Sequence, residues 1–300
     1  MLYDIGLKIS YEYDQPANAG RHMLRVMPAN LPGEQQVVSA KLTIDPQAEE
    51  RIERTDFFGN ATTEIAYRSA HDQIVFELQC RIDRQARDRG FITSPPLNQL
   101  SAQIGAYRAL DPAAPHHFLG VSPRVRPTPE MDAYTAELVN PEMTAFDVLQ
   151  TLSRALHRDM QFDAKATTVD TSPEEAFAGR RGVCQDFAHI MIACLRGIGM
   201  PAGYVSGFLR TIPPAGKPRL AGADAMHAWV RGWCGAETGW VEFDPTNNLL
   251  VQNDHVVIAR GRDYSDVAPI KGVLRTAGSQ TTEQSVDVTP LTETPAENKQ

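Results

Sequence analysis

The feature that most limits how this chain can fold is a change of hydrophobic period partway along it. Up to about residue 92, apolar residues recur at every second position. "YDIGLKISYEY", "VVSAKLTID" and "TEIAYRSA" alternate in this way, and "DQIVFELQCRID" carries a β-rich apolar stretch. A period of two lines one face of a pleated strand. Beyond about residue 140 the period becomes helical: in "TAFDVLQTLSRALHRDM", Phe146, Leu149, Leu152 and Leu156 share one face. Strands in one block, followed by helices that precede further strands, define an α+β protein.

Turn chemistry in "DQPANAG", "ANLPGE" and "FFGNAT" separates the early strands. Residues 1–92 are therefore expected to form an antiparallel β-sandwich-like domain, structural or substrate-orienting in role, because no catalytic constellation falls within it. Residues 93–140 contain Pro95, Pro96, Pro112, Pro115, Pro123, Pro127 and Pro129. That density predicts an extended connector without long regular elements, in which His116 and His117 are solvated.

Residues 141–292 form the expected core. Asn140 before Pro141 is the predicted cap of the first helix. Ser172, Pro173 and Glu175 form a capping box for a short second helix that stops near Gly179. A third helix starts near Val183, carries Phe187, Met191, Leu195 and Ile198 as its apolar stripe, and ends at Gly199 and Pro201. "AGYVSGFLR", "HAWVRGWC" and "GWVEFDPT" read as antiparallel strands, "QSVDVTPL" as a closing strand, and 293–300 as a flexible tail.

The formal net charge of −8 leaves no basic excess with which to displace counterions, which argues against nucleic-acid and anionic-membrane partners. No apolar run approaches the roughly 20 residues that span a bilayer, and "MLYDIGLKISYEYD" lacks a secretory pattern. Cys80, Cys184, Cys194 and Cys234 are scattered and do not form a disulfide framework. A reduced, cytoplasmic protein is expected.

Of the four cysteines, Cys184 is placed for chemistry. A thiolate is the nucleophile, and the positive end of a helix favours it, as do nearby cations. The unpaired N–H groups of a first helical turn can meet the oxyanion of a tetrahedral intermediate, and Gly182 would let a substrate chain approach. Downstream, His227 lies in "MHAWV" and Asp244 ends the strand in "WVEFDPTNN". Neighbouring antiparallel strands joined by "GWCGAETGW" can bring them together, with His227 as proton shuttle and Asp244 as its orienting carboxylate. Cys194 lies ten positions further, about 280° around the helix, and belongs to the core. Asp186 is read as structural, His189 as badly placed for a shuttle, and Arg180 and Arg181 as solvated. Arg262, Asp263, Tyr264 and Asp266 form a loop that buttresses the triad or lines the cleft. No C-x-x-C, H-E-x-x-H or D-x-D-x-D spacing points to zinc or calcium, and no cofactor is expected.

Taken together, "GRRGVCQDFAHIMIACLRGIGMPAGYVSGF", "MHAWV" and "WVEFDPTNN" resemble the transglutaminase-like (papain-like) superfamily of cysteine enzymes. "YEYDQPANAGRHMLRVMP", "DFFGNATTEIAY" and "GRDYSDVAPIKGV" are similar to its bacterial branch. The resemblance implies a β-rich amino-terminal domain followed by a transglutaminase-like core, with Cys184, His227 and Asp244 as the triad. No papain-type glutamine stands in "EEAFAGRRG" to supply a second oxyanion donor. The expected activity is that of a thiol enzyme acting on an amide or peptide-type acyl group of a peptide, protein or small amide, with hydrolysis favoured. The alternatives are amine-accepting transfer and a non-catalytic binding or scaffold module.

Overall fold

The computed structural model describes residues 1–85, 90, 92–211, 222 and 224–291. Six strands come first: β1 (Leu2–Ala17), β2 (Gly20–Leu24), β3 (Gln35–Asp45), β4 (Glu50–Thr55), β5 (Ala61–Tyr67) and β6 (His71–Arg84). The period-two pattern does what pleating dictates. Tyr3, Ile5, Leu7 and Ile9 of β1 are buried, as are Ile74, Phe76, Leu78, Cys80 and Ile82 of β6.

Two helices follow, α1 (Leu97–Ala106) and α2 (Pro129–Leu138), separated by a 3-10 turn at Pro115–Phe118. The extended connector expected here is therefore partly helical. The prolines do not interrupt the helices because they stand at their starts: Pro96 is the N-cap of α1, and Pro129 is the first residue of α2, after the Thr128 cap. His116 and His117 are half-buried instead of solvated. His116 packs against Tyr107, and His117 against Phe57.

Next come α3 (Ala145–Asp159), β7 (Gln161–Phe162), α4 (Pro173–Gly179), β8 (Arg181–Gly182) and α5 (Cys184–Gly197). The capping box on α4 forms as expected. The α3 cap is Thr144, however, and not Asn140, whose side chain closes a local turn by accepting the Glu142 N–H. Then come β9 (Ala202–Leu209), β10 (Ala225–Trp233), β11 (Trp240–Asp244), β12 (Leu249–Leu250), β13 (His255–Gly261), α6 (Tyr264–Val267), β14 (Ile270–Leu274) and β15 (Gln280–Pro290).

The strands form an antiparallel sheet ordered β15-β1-β6-β3, a second ordered β14-β2-β5-β4, and the core sheet β12-β11-β10-β9-β13. The first two meet where His22 of β2 packs against Phe76 of β6. "QSVDVTPL" does supply a closing strand, but β15 pairs with β1 and β14 pairs with β2. The end of the chain thus returns to the amino-terminal sheets, although the sequence reading grouped it with the core. The reading of 293–300 as a tail lies outside the described residues.

α5 packs on β10 and β9. Every residue from Gln185 to Arg196 is buried, so this is a central helix and its apolar surface is wider than the expected stripe. Each large apolar side chain on it contributes about 1.5–3 kcal/mol by burial. Arg196, near its carboxyl end, donates to the carbonyls of Ala202, Gly120 and Arg262 and to Ser122 Oγ. One buried guanidinium therefore ties α5 to β9, to the segment before α2 and to the segment after β13. Desolvation brings it down to about 10.

The amino-terminal sheets grip the core at β13, the edge strand beside β9. Gln35 Nε2 donates to Val257 O (2.7 Å) and Gln35 Oε1 accepts from Val257 N (2.8 Å). Asn60 repeats the pattern on Arg260, donating to its carbonyl and accepting from its N–H, both at 2.8 Å. Together with the Ala29 N–H on the Val257 carbonyl (3.0 Å), the two side-chain amides stand in for a neighbouring strand along this edge.

Candidate active site

Cys184 opens α5 after the N-cap Val183. It is partly exposed, whereas Cys80, Cys194 and Cys234 are buried, and none of the four is joined in a disulfide. Its N–H and that of Gln185 occupy positions the helical ladder leaves without acceptors, at the positive end of the helix. Asp186 secures that end. Its Oδ2 accepts from Val183 N (2.8 Å) and from Thr167 Oγ1 (2.6 Å), which is the structural role expected of it. Burial pushes its carboxyl up, against the pull of these bonds. Gly182 serves the same cap: a Cβ there would stand 2.5 Å from Asp186 Oδ2. Its small size accommodates the carboxylate, a different reason from the substrate approach inferred from sequence.

The register of β10 and β11 pairs Val230 with Phe243. Asp244, one step on, therefore shares a sheet face with Trp229 and lies diagonal to His227. His227 Nε2 meets Asp244 Oδ2 at 2.7 Å, and the imidazole also lies within the electrostatic reach of Cys184. Since Nε2 faces the carboxylate, Nδ1 is the nitrogen left for the thiol. Burial alone would depress the imidazole, but its bond to Asp244 and its electrostatic interactions with Asp244 and Cys184 outweigh this and hold it above the usual histidine range. The structure thus brings Cys184, His227 and Asp244 together.

Asp244 is fully buried. Its Oδ1 accepts the N–H groups of Thr246 (3.0 Å) and Asn247 (3.2 Å). Its Oδ2 accepts Asn247 Nδ2 (2.7 Å) and His255 Nε2 (3.1 Å) in addition to His227. Burial would raise this carboxyl, but the donors win and hold it well below the usual range. It is ionised and only accepts. Ligand-type atoms of His227, Asp244 and His255 lie within 4.8 Å of one another, a spacing suited to a metal ion. The shared hydrogen bonds already account for that convergence.

His255 and Asn247 are contributors that sequence reasoning missed. Asn247 lay inside the quoted "WVEFDPTNN" without a role. For His255 the sole local signal was a histidine beginning an apolar run, which does not distinguish a site residue from a core one.

Around the triad, Trp229 lies beside both histidine rings, with centroids 6.2 Å from His227 and 5.1 Å from His255. Its Nε1 donates to Glu242 Oε2 (2.8 Å), and Arg260 pairs with Glu242 behind it at 2.5 Å. Tyr204 of β9 is 3% exposed. Burial above all, then the charge of Cys184, keeps its phenol protonated. Its ring packs against His189 (5.1 Å) and Tyr264 (6.3 Å). His189 accepts the Tyr264 N–H at Nε2 (3.2 Å), and burial brings its own pKa to about 4, so it is a neutral acceptor remote from any shuttle role.

Arg262, Asp263, Tyr264 and Asp266, expected in a loop, lie at the start of α6 with Asp263 as its N-cap, and act as a brace. Asp263 is buried and accepts from the Arg124 and Ser265 N–H groups at 2.7 Å each, while Arg262 and Asp266 form a two-pronged pair. Arg180 is exposed but lies over the Phe177 ring at 4.0 Å. Burial pushes Cys194 up to about 11 and Cys80 up to about 12, leaving both as protonated core thiols.

The α+β fold is shared with known proteins. Residues 3–83 match the bacterial transglutaminase-like N-terminal region, and residues 132–245 match the transglutaminase-like superfamily. An uncharacterized protein of Mycobacterium tuberculosis is 35% identical over 267 residues, spanning 86% of this chain and 83% of that one. The chain belongs to the transglutaminase-like superfamily. A Cytophaga hutchinsonii crystal structure, of a protein provisionally designated a cysteine protease, shares the fold with a TM-score of 0.74 at 20% identity, covering 98% of this chain and 92% of that one. A Pseudomonas aeruginosa protein-glutamine gamma-glutamyltransferase is 35% identical over 126 residues, or 40% of this chain and 19% of that protein. Among the described residues, no helix is long and apolar enough to cross a membrane.

Proposed function

We propose that this protein is a thiol enzyme that cleaves amide or peptide-type bonds through an acyl-enzyme on Cys184, with His227 as acid and base and Asp244 as the orienting carboxylate. The observation carrying this reading is the 2.7 Å bond between His227 and a fully buried, ionised Asp244, made by an imidazole on which the partly exposed Cys184 also acts electrostatically. Nothing in a purely structural role requires a reactive side chain at the accessible end of that chain of contacts.

In the first half-reaction the Cys184 proton passes to His227 Nδ1 and the sulfur attacks the carbonyl carbon. The N–H groups of the first turn of α5 are placed to meet the developing oxyanion. The tetrahedral adduct collapses, the C–N bond breaks, and His227 returns the proton to the leaving amine. In the second, water loses a proton to His227 and attacks the thioester, releasing the carboxylic acid and the thiol. Asp244 keeps the imidazole in the tautomer and orientation that both halves need.

Proteins or peptides are the substrate class the superfamily favours. Four cysteines without a disulfide fit a reducing compartment such as the cytoplasm. Transfer to an amine in place of water is the second reading, favoured by the partial match to the Pseudomonas aeruginosa transferase.

The test is competitive alkylation of the folded protein with iodoacetamide, followed by an amide and peptide library screened with wild type and Cys184→Ala. Cys184 is expected to label far faster than Cys194, and turnover is expected to vanish in the variant. Equal labelling of the two cysteines, with no turnover by either protein, would overturn the proposal. Product masses with and without added amine separate hydrolysis from transfer.

A further inference from the structure

We infer that His255 is a positioning residue through which the amino-terminal sheets hold the Asp244 carboxylate in place for His227; the inference rests on the function proposed above. Three observations converge on it. His255 is 3% exposed and spends its Nε2–H on Asp244 Oδ2 at 3.1 Å, the same oxygen that receives His227. Its ring stands edge-on to Trp229, with interplanar angle 77°, which fixes the direction of that N–H. Its backbone is clamped by the other domain. Arg84 Nε of β6 donates to the His255 carbonyl (2.8 Å), Tyr3 of β1 donates to Asp254 (3.0 Å), and Gln35 of β3 pairs both ways with Val257.

The chemistry explains why such a hold is needed. An ionised carboxylate without water must be surrounded by donors, or it takes up a proton or turns toward whichever donor remains. The Thr246 and Asn247 N–H groups fix Oδ1 from within their own turn. On Oδ2, besides His227 of β10 itself, His255 is the donor that comes from another strand, β13, and β13 is the edge that the amino-terminal sheets cover. The amino-terminal domain, to which the sequence assigned no chemistry, therefore reaches the reacting groups in two steps: Arg84, Tyr3 and Gln35 hold residues 254–257, and His255 holds Asp244. A strand edge without this clamp would let the start of β13 fray, taking the Nε2–H with it.

The experiment uses the full chain and two readouts, the rate of Cys184 alkylation by iodoacetamide at neutral pH and the low-field proton NMR signal of the His227 Nε2–H bonded to Asp244. That signal is assigned by its loss in His227→Gln. In His255→Leu, which fills the space without a donor, alkylation should slow about tenfold or more, the scale of one hydrogen bond to a charged group, and the low-field signal should broaden or vanish. His255→Gln, which restores an N–H donor, should stay within about threefold of wild type and keep the signal. Gln35→Leu, remote from the triad, should weaken the signal as well.

Equal damage by Leu and Gln at position 255, or an unchanged signal in folded His255→Leu, overturns the inference. If His255→Leu does not fold, His255→Gln and Gln35→Leu decide. A signal retained in the first and weakened in the second supports the inference, and a signal indifferent to Gln35→Leu overturns it. Failure of the thiol reading itself appears separately, as slow alkylation of wild-type Cys184, and leaves the NMR comparison intact.

Discussion

His227 and Asp244 are joined at 2.7 Å in a place where the carboxylate has no contact with solvent. The pair is strong because the acceptor is ionised and the donor aligned by its strand. Asp244→Asn keeps the shape but substitutes an amide for the charge, so it no longer dictates which imidazole nitrogen carries the proton. Turnover of any amide substrate should fall by roughly a hundred- to ten-thousand-fold, with the circular dichroism spectrum unchanged. Steady-state kinetics on the best library substrate measure this.

The same pair sets a pH signature in stability. Asp244 is held below the usual carboxylate range, so its contribution is present above the unfolded value of about 3.9 and is lost as pH falls through the depressed folded value. His227 is held above the usual range, so its contribution is complete below about 6.5 and is lost as pH rises through the elevated folded value. The melting-temperature advantage of wild type over His227→Asn should therefore be largest between about pH 4 and 6.5 and shrink steadily on the alkaline side. Differential scanning fluorimetry across pH 4 to 10 reads it, and an advantage that grows with pH would contradict it.

Behind the triad, the buried Glu242 accepts from the buried Trp229 Nε1 and pairs with the half-buried Arg260. Removing one member of such a group strands the others without water. Glu242→Ala should cost about 3–5 kcal/mol in chemical denaturation, whereas Glu53→Ala, whose partner Arg51 lies on the surface, should cost less than about 1 kcal/mol.

Gly207 pairs with His227 across β9 and β10. A Cβ there would lie 2.2 Å from the Val256 carbonyl and 2.3 Å from the Trp229 ring. Neither neighbour can move freely, so Gly207→Ala should displace Trp229, shift its fluorescence and destabilise the fold by about 1–3 kcal/mol. Gly6 has nothing within 4 Å of a built Cβ, and Gly6→Ala should be tolerated by the same measures.

What the sequence disclosed follows the range over which each signal acts. The α4 cap is readable because Ser172, Pro173 and Glu175 act on one another within a single turn. Cys184, His227 and Asp244 are readable because a helix start and a short hairpin place them. Asn140 misled because Asn and Asp side chains close turns as readily as they cap helices, and four residues on Thr144 does the capping. The prolines of the connector misled because a proline at a helix start is neutral, and the count alone does not reveal position. His255 and Gln35 were opaque because their meaning lies in partners 11 and 222 residues away.

Because β15 lies against β1 and β14 against β2, the two amino-terminal sheets each wait for a strand that is made after the core sheet. During synthesis the first six strands emerge with those edges bare, and an exposed β1 edge is an invitation to pair with another chain. The half that carries Cys184, His227 and Asp244, in turn, is delivered before the clasp that seals the structure around it. Assembly is thus a closing of late strands upon the first ones, and a ribosome stalled before residue 280 holds a chain that has Cys184, His227 and Asp244 and an unfinished house around them.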